Sequence, residues 1–147
     1  MPSIFRTVGA VGLSVAALGS ALGAAQTQAT SFRARLTPVP VESATASTIT
    51  GSGVITATVE GTRLSLTGTF AGMKSAATIA QIHLGARGVR GPAEFDLTVE
   101  KAASGAISGT ANLNRSQLDS LRKGWFYVQI HAEKAPDGNL WGWLLPV

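Results

Sequence analysis

Ala93-Glu94-Phe95-Asp96-Leu97-Thr98-Val99 alternates apolar and polar residues without a break. Successive side chains on a strand point to opposite faces. Ala93, Phe95, Leu97 and Val99 therefore fall on one side, and Glu94, Asp96 and Thr98 on the other. The segment predicts a half-buried β-strand. Working outward, Ala106 to Leu113 repeats the pattern, with Ile107, Ala111 and Leu113 against Ser108, Thr110 and Asn112. Upstream, Gly53 to Phe70 reads as a hairpin turning at Glu60-Gly61-Thr62, with Leu64, Leu66 and Phe70 inward. Thr78 to Leu84 puts Ala80, Ile82 and Leu84 on one face. Phe32-Arg33-Ala34-Arg35-Leu36 alternates apolar and basic, and its arginines suit an edge strand that must resist further pairing.

Downstream, one helix interrupts the strands. Asn114 is a good N-cap, Gln117 completes the capping-box spacing, and Gly124 is a natural stop. The helix is expected over about Arg115 to Lys123, with Leu118 and Leu121 packing down. Trp125 to Ala132 then alternates Phe126, Val128 and Ile130 against Trp125, Tyr127, Gln129 and His131. Pro136-Asp137-Gly138 is strong turn chemistry, after which Leu140 to Leu145 pairs back. Seven or eight short strands at hairpin spacing, with one short helix, predict an all-β fold, an antiparallel β-sandwich.

The first 25 residues follow a different logic. A basic start at Arg6 leads into an apolar, uncharged run from Val8 to Ala25 that closes on Gly23-Ala24-Ala25. That order predicts a signal peptide over 1–25. A retained anchor would need roughly 20 apolar residues, and this run is diluted with Gly and Ser and lacks a basic stop. Residues 26–31 form a flexible leader, and 32–147 the folded domain, so no stable membrane span is expected after cleavage. The location expected is secreted or periplasmic. Arg6 leaves with the leader and no acid does, so the net charge falls from +4 to +3. The remaining Lys and Arg are scattered, which argues against a nucleic-acid partner. The chain has no cysteine. Lipid acylation, thiolate metal sites and cysteine nucleophiles are thereby excluded, and the domain must rely on its core.

The two histidines of the chain each end a Gln-Ile-His tripeptide, Gln81-Ile82-His83 and Gln129-Ile130-His131. Each Gln shares a strand face with its His, and each Ile takes the other. Two readings follow. In the first, Gln81, Gln129 and the histidines knit neighbouring strands by hydrogen bonds, with Tyr127 as a lid. In the second, His83 and His131 bind copper or zinc, since neutral imidazole is a common ligand for both. A catalytic zinc site usually takes three protein ligands, and a Gln amide is a poor substitute, so the first reading is favoured and no resident cofactor is expected.

Other chemistry is thinner. No Ser sits in a nucleophile context beside a His and an acid. Glu94, Asp96 and Glu100 resemble a solvated strand face more than an acid–base pair. Gly85 to Pro92, with Arg87 and Arg90, offers a cradle for a phosphate or sulfate group but lacks phosphate-loop spacing; a solvated turn is the plainer reading. Trp125, Trp141 and Trp143 mark either an aromatic binding row or the cover of one end of the core, and the cover is favoured.

Four stretches carry a family resemblance: Phe32 to Leu36 with Val39-Pro40; Leu66 to Leu84, ending in Gln81-Ile82-His83; Arg90-Gly91-Pro92-Ala93-Glu94-Phe95-Asp96-Leu97; and Leu121 to Leu144. Together they resemble the CHRD domain, a module named after chordin and found in many secreted bacterial proteins. The resemblance implies an immunoglobulin-like or superoxide-dismutase-like sandwich with no agreed activity. It also implies His-x-His in the third strand, where this chain has Gln81, and Asn-x-His later, where it has Gln129. A family metal site would thus lack one ligand here. The function expected is a non-enzymatic binding or structural module with an extracytoplasmic protein or matrix partner; the alternative is weak copper or zinc binding through His83 and His131.

Overall fold

The computed structural model describes residues 30–147. The predicted signal peptide and most of the leader lie outside the described residues. The strands are β1 (Thr30–Pro38), β2 (Ser52–Glu60), β3 (Arg63–Ala71), β4 (Ala77–Leu84), β5 (Ala93–Val99), β6 (Gly105–Asn112), β7 (Phe126–Ala132), β8 (Ala135–Trp143) and the short β9 (Leu145–Pro146); helix α1 (Arg115–Arg122) joins β6 to β7.

The expected hairpin is β2 and β3, which pair in register from Ser52↔Ala71 to Glu60↔Arg63. The two-residue connection has Gly61 at φ 61°, as a type II′ turn requires of its first residue. Ile55, Ala57 and Val59 on β2 and Leu64, Leu66 and Phe70 on β3 are buried, as their alternation predicts. Gly68 continues the inward row of β3. A Cβ there would strike the Val54 carbonyl and Ile55 side chain, so the hairpin closes only because the position is glycine.

The sheet topology corrects the sandwich expectation. Pairing runs β1-β2-β3-β6-β5-β4-β7-β8 and returns to β1, so eight antiparallel strands close into a barrel, with β9 beside β1. Two joints are narrow. β5 meets β6 only at Thr98↔Ser108 and Val99↔Ile107, and β1 meets β8 only at Thr37↔Trp141 and Pro38↔Leu140. Apolar alternation reports one buried face per strand, and sandwich and barrel both supply it. The two differ in backbone pairing at the corners.

Strand β1 is likewise not an edge. It pairs with β2 from Thr30↔Val59 to Leu36↔Gly53 and completes the ring at its other end. Its alternation sorts inside from outside: Phe32, Ala34 and Leu36 are buried, while Arg33 and Arg35 face outward. Closure leaves no long unpaired edge for the arginines to protect.

A second correction concerns Pro136-Asp137-Gly138. The chain reverses at Glu133-Lys134, and the tripeptide lies inside β8. There the β7–β8 register jumps from Ile130↔Leu140 to Ala132↔Ala135. Turn residues are also bulge residues: proline withholds an N–H from the ladder, and Gly138 adopts φ 129°.

Helix α1 forms as the sequence predicts. The Asn114 side chain accepts from the Gln117 amide at 2.8 Å, and Gln117 Oε1 accepts from the Asn114 amide at 2.9 Å. Leu121 is buried in the barrel core and Leu118 packs against it. Gly124, at φ 73°, ends the helix. The core is one apolar cluster to which all eight long strands contribute: Leu36, Ile55, Leu66, Ile82, Ile107, Ile130 and Leu140 are all at or below 2% exposure. Each such side chain contributes about 1.5–3 kcal/mol of burial. Among the described residues, no helix is long and apolar enough to cross a membrane.

Candidate functional site: a covered outer face and a basic aromatic groove

Strands β4, β7 and β8 lie side by side, with Gln81↔Gln129, His83↔Tyr127, Gln129↔Trp141 and Tyr127↔Trp143 as cross-strand partners. The intervening residues Ile82, Val128 and Ile130 fill the barrel, as the doubled tripeptide predicts for its isoleucines. His83, Tyr127, Gln129, His131, Trp141 and Trp143 therefore stand on the outer face. Yet His83, Tyr127, Gln129 and Trp141 are buried. Over His83, Tyr127 and Trp141 the cover is the Gly85–Pro92 loop, which folds back over the barrel wall; Gln129 lies against Asp137 and Gly138 of β8.

Five side-chain hydrogen bonds pin that loop. His83 Nδ1 donates to the Gly91 carbonyl at 2.8 Å. The Tyr127 hydroxyl accepts from the Gly91 amide at 2.9 Å and donates to its carbonyl at 3.3 Å. Trp143 Nε1 donates to the Gly85 carbonyl, and Arg90 to the Asp137 carbonyl, each at 2.9 Å. Arg90 also lies 5.6 Å from the Trp141 ring centre, within cation–π range. Gly91 is required for the approach, because a Cβ there would collide with the Leu84 carbonyl. Sequence reasoning named Tyr127 as a lid; it is a post, and the loop is the lid.

The two Gln-His pairs are not equivalent. Gln81 turns away and donates to Asp96 Oδ1 at 2.9 Å. Gln129 is 2% exposed, and its amide nitrogen donates to the Asp137 carbonyl at 3.1 Å and contacts His131 Nε2 at 3.2 Å. His131 Nδ1 donates to the Pro136 carbonyl at 2.7 Å. Gln129 and His131 thus hold the two carbonyls that the β8 bulge withdraws from the ladder. A side chain at position 138 would meet the Gln129 amide, so Gly138 makes room for this contact.

Carbonyl partners at both Nδ1 atoms fix the tautomers: each imidazole carries its proton on Nδ1 and presents a lone pair at Nε2. For His131 that lone pair faces the Gln129 amide. His83 Nε2 is buried without a hydrogen-bond partner in the structure, as is Gln129 Oε1. The His83 ring stacks on Tyr127, 5.0 Å between centroids and 18° between planes, and lies 6.3 Å from His131. The structure therefore brings His83, His131, Gln129 and Tyr127 together and leaves Gln81 out. Nδ1–H on a carbonyl with Nε2 free is the arrangement that orients a metal-binding imidazole. Among the described residues, however, no group of three or more His, Cys, Asp or Glu is placed to hold a metal ion. Both histidines spend their hydrogen bonds on amide and carbonyl groups, and Glu94 accepts from Gln117 at 3.1 Å on a different part of the wall.

Beside the covered face lies an open groove of about 650 Å³, walled by Arg33 and Arg35 of β1 and by Arg87 of the loop, with Trp141 and Trp143 lining it. The two indoles pack edge to face at 4.7 Å and abut Tyr127 at 5.9 and 4.7 Å. The groove thus rests on the same aromatic cluster that supports His83. The loop arginine and the C-terminal tryptophans appeared unrelated in the sequence; β1, which brings the other two arginines, gave no signal beyond its alternation. Trp125 stays apart, 44% exposed with Lys123 over its ring.

No curated protein and no solved structure matches the chain. A family model, the CHRD domain, matches residues 32–144, and the chain belongs to that family.

Proposed function

We propose that this CHRD protein is a non-enzymatic binding module of the secreted or periplasmic space, and that the groove between β1, β8 and the Gly85–Pro92 loop is its binding surface. The observation that carries the reading is the groove itself. It is concave, lined by two indoles and rimmed by three outward arginines, which suits recognition of a ligand with planar and charged parts. The polar seam beneath it supports the groove: His83, Tyr127 and Trp143 hold the loop that carries Arg87. The partner expected is a protein or matrix component of the cell exterior. The test is retention of the protein, purified from its producing cells, on washed envelope from the same cells. Wild type is expected to sediment with the envelope, and an Arg33→Gln/Arg35→Gln variant to stay largely in solution. Equal retention of both ends the assignment of the groove.

A second reading, weak copper or zinc binding through His83 and His131, is favoured by one observation, the bare and buried Nε2 of His83. The residues fit it incompletely. The Gln129 amide stands against His131 Nε2, and Gln81, at the position where the family resemblance implies a histidine, is engaged with Asp96. Titration calorimetry with Cu(II) and Zn(II), on wild type and His83→Ala/His131→Ala, decides it. Binding lost in the double variant supports a site; micromolar or weaker binding indifferent to the substitutions ends the reading.

A further inference from the structure

We infer that the ligand of the groove is an acidic polysaccharide, bound by salt bridges from Arg33, Arg35 and Arg87 to sugar carboxylates and by stacking of a sugar ring on the half-buried Trp143, which Trp141 backs; the inference rests on the groove being the binding surface. Charge is the first argument. Among the described residues the one ion pair is Arg122–Asp119, and Arg33, Arg35 and Arg87 make no side-chain hydrogen bond. No Asp or Glu lines the groove; Val147 does, and its backbone carboxylate forms no ion pair with the three arginines. Residues 1–29 contain no acid either, so the chain's own N-terminal segment cannot neutralise it. Three guanidinium forks beside one cavity are an uncompensated site for planar anions.

Spacing is the second argument. Arg33 and Arg35 are two residues apart on one strand face, roughly 6.6 Å at the rise of a β-strand, and Arg87 reaches the same cavity from the loop opposite. A polymer with a charge on each repeating unit engages such a row; a single small anion uses one member. The third argument separates glycan from peptide. A peptide commonly binds an open sheet by adding a strand. Here β1 pairs with β2 on one side and, on the other, with β9 at Phe32 and Arg33 and with β8 at Thr37 and Pro38, so the groove offers only the short Ala34–Leu36 stretch between them, too little edge to seat an added strand. What it offers is indole surface and charge, which a sugar ring bearing a carboxylate uses together.

The test is affinity electrophoresis and calorimetry of the full-length gene product, as purified from its producing cells, against polygalacturonate, neutral dextran and poly-glutamate of matched charge. Polygalacturonate is expected to bind, more weakly as salt rises, with dextran inert and poly-glutamate at least about tenfold weaker. Arg33→Gln, Arg35→Gln and Arg87→Gln each weaken binding about tenfold, the loss of one charge-assisted contact. Arg63→Gln, which removes the same charge outside the groove, leaves affinity unchanged. These arginines are exposed and unbonded, so circular dichroism should report an unaltered fold. Equal binding of poly-glutamate, or equal loss in Arg63→Gln, means bulk charge alone and overturns the inference. Failure to bind polygalacturonate overturns it too; if envelope retention still depends on Arg33 and Arg35, the groove remains the binding surface with a different ligand.

Discussion

Tyr127 and Gly91 exchange two hydrogen bonds: the hydroxyl accepts from the Gly91 amide at 2.9 Å and donates to the Gly91 carbonyl at 3.3 Å, across 36 residues of sequence. The same carbonyl also accepts a hydrogen bond from His83 Nδ1. One glycine is therefore the rivet through which the loop is fastened to β4 and β7.

Tyr127→Phe keeps the ring stacked on His83 and removes both bonds. The loss expected is about 1–3 kcal/mol of stability, since the Gly91 amide then lacks its partner. Urea unfolding measures the loss, and hydrogen exchange should show the Gly91 amide deprotected while the β2–β3 hairpin stays protected.

Gly91→Ala and Gly88→Ala separate two uses of glycine. Position 88 has a left-handed φ of 81° with open space around it, so alanine costs only backbone strain, about 1 kcal/mol. Position 91 has no room for a Cβ against Leu84, and alanine must lift the loop. Gly91→Ala is expected to lose more stability than Gly88→Ala and to admit protease cleavage between residues 85 and 92; unfolding curves and limited proteolysis of the pair check this.

Asn114→Ala removes the acceptor that caps α1 and frees Gln117 from its reciprocal bond. About 0.5–2 kcal/mol is expected. Thermal unfolding should show the drop, and Asn114→Ser should recover most of it.

The signal-peptide reading has its own measurement. Protein collected from the medium or periplasm of its producing cells should begin at Gln26, by mass spectrometry of the intact chain. A mass that includes residues 1–25 contradicts cleavage.

Much of the barrel wall was legible because alternation is a local consequence of having one face in the core: Leu64, Leu66, Ile82 and Ile130 were placed inside by it, and α1 by its own capping residues. Ring closure was not legible. It rests on four residue pairs at two corners, and backbone pairing between Pro38 and Leu140 leaves no mark on side-chain choice. The tripeptide Pro136-Asp137-Gly138 misled because a bulge and a turn demand the same residues. The site was half legible. Gln129 and Tyr127 look like solvent-facing positions from β7 alone; a loop 36 residues upstream covers Tyr127 through Gly91, and the β8 bulge at Asp137 and Gly138 packs on Gln129. Gln81 is equivalent to Gln129 in sequence but has Asp96 for a neighbour, a fact of strand order.

Closure at Thr37↔Trp141 and Pro38↔Leu140 also sets an order of events. Strand β1 can find β2 as soon as the hairpin emerges, yet its other partner, β8, lies about 100 residues downstream. Contacts this distant in sequence are slow to form. A chain cut short before β8 would carry β1 to β7 as an open sheet with unsatisfied edges at β1 and β7. Completion of the domain thus waits for β8, and the interval before it is when the chain is most exposed to chaperones, proteases and its own copies.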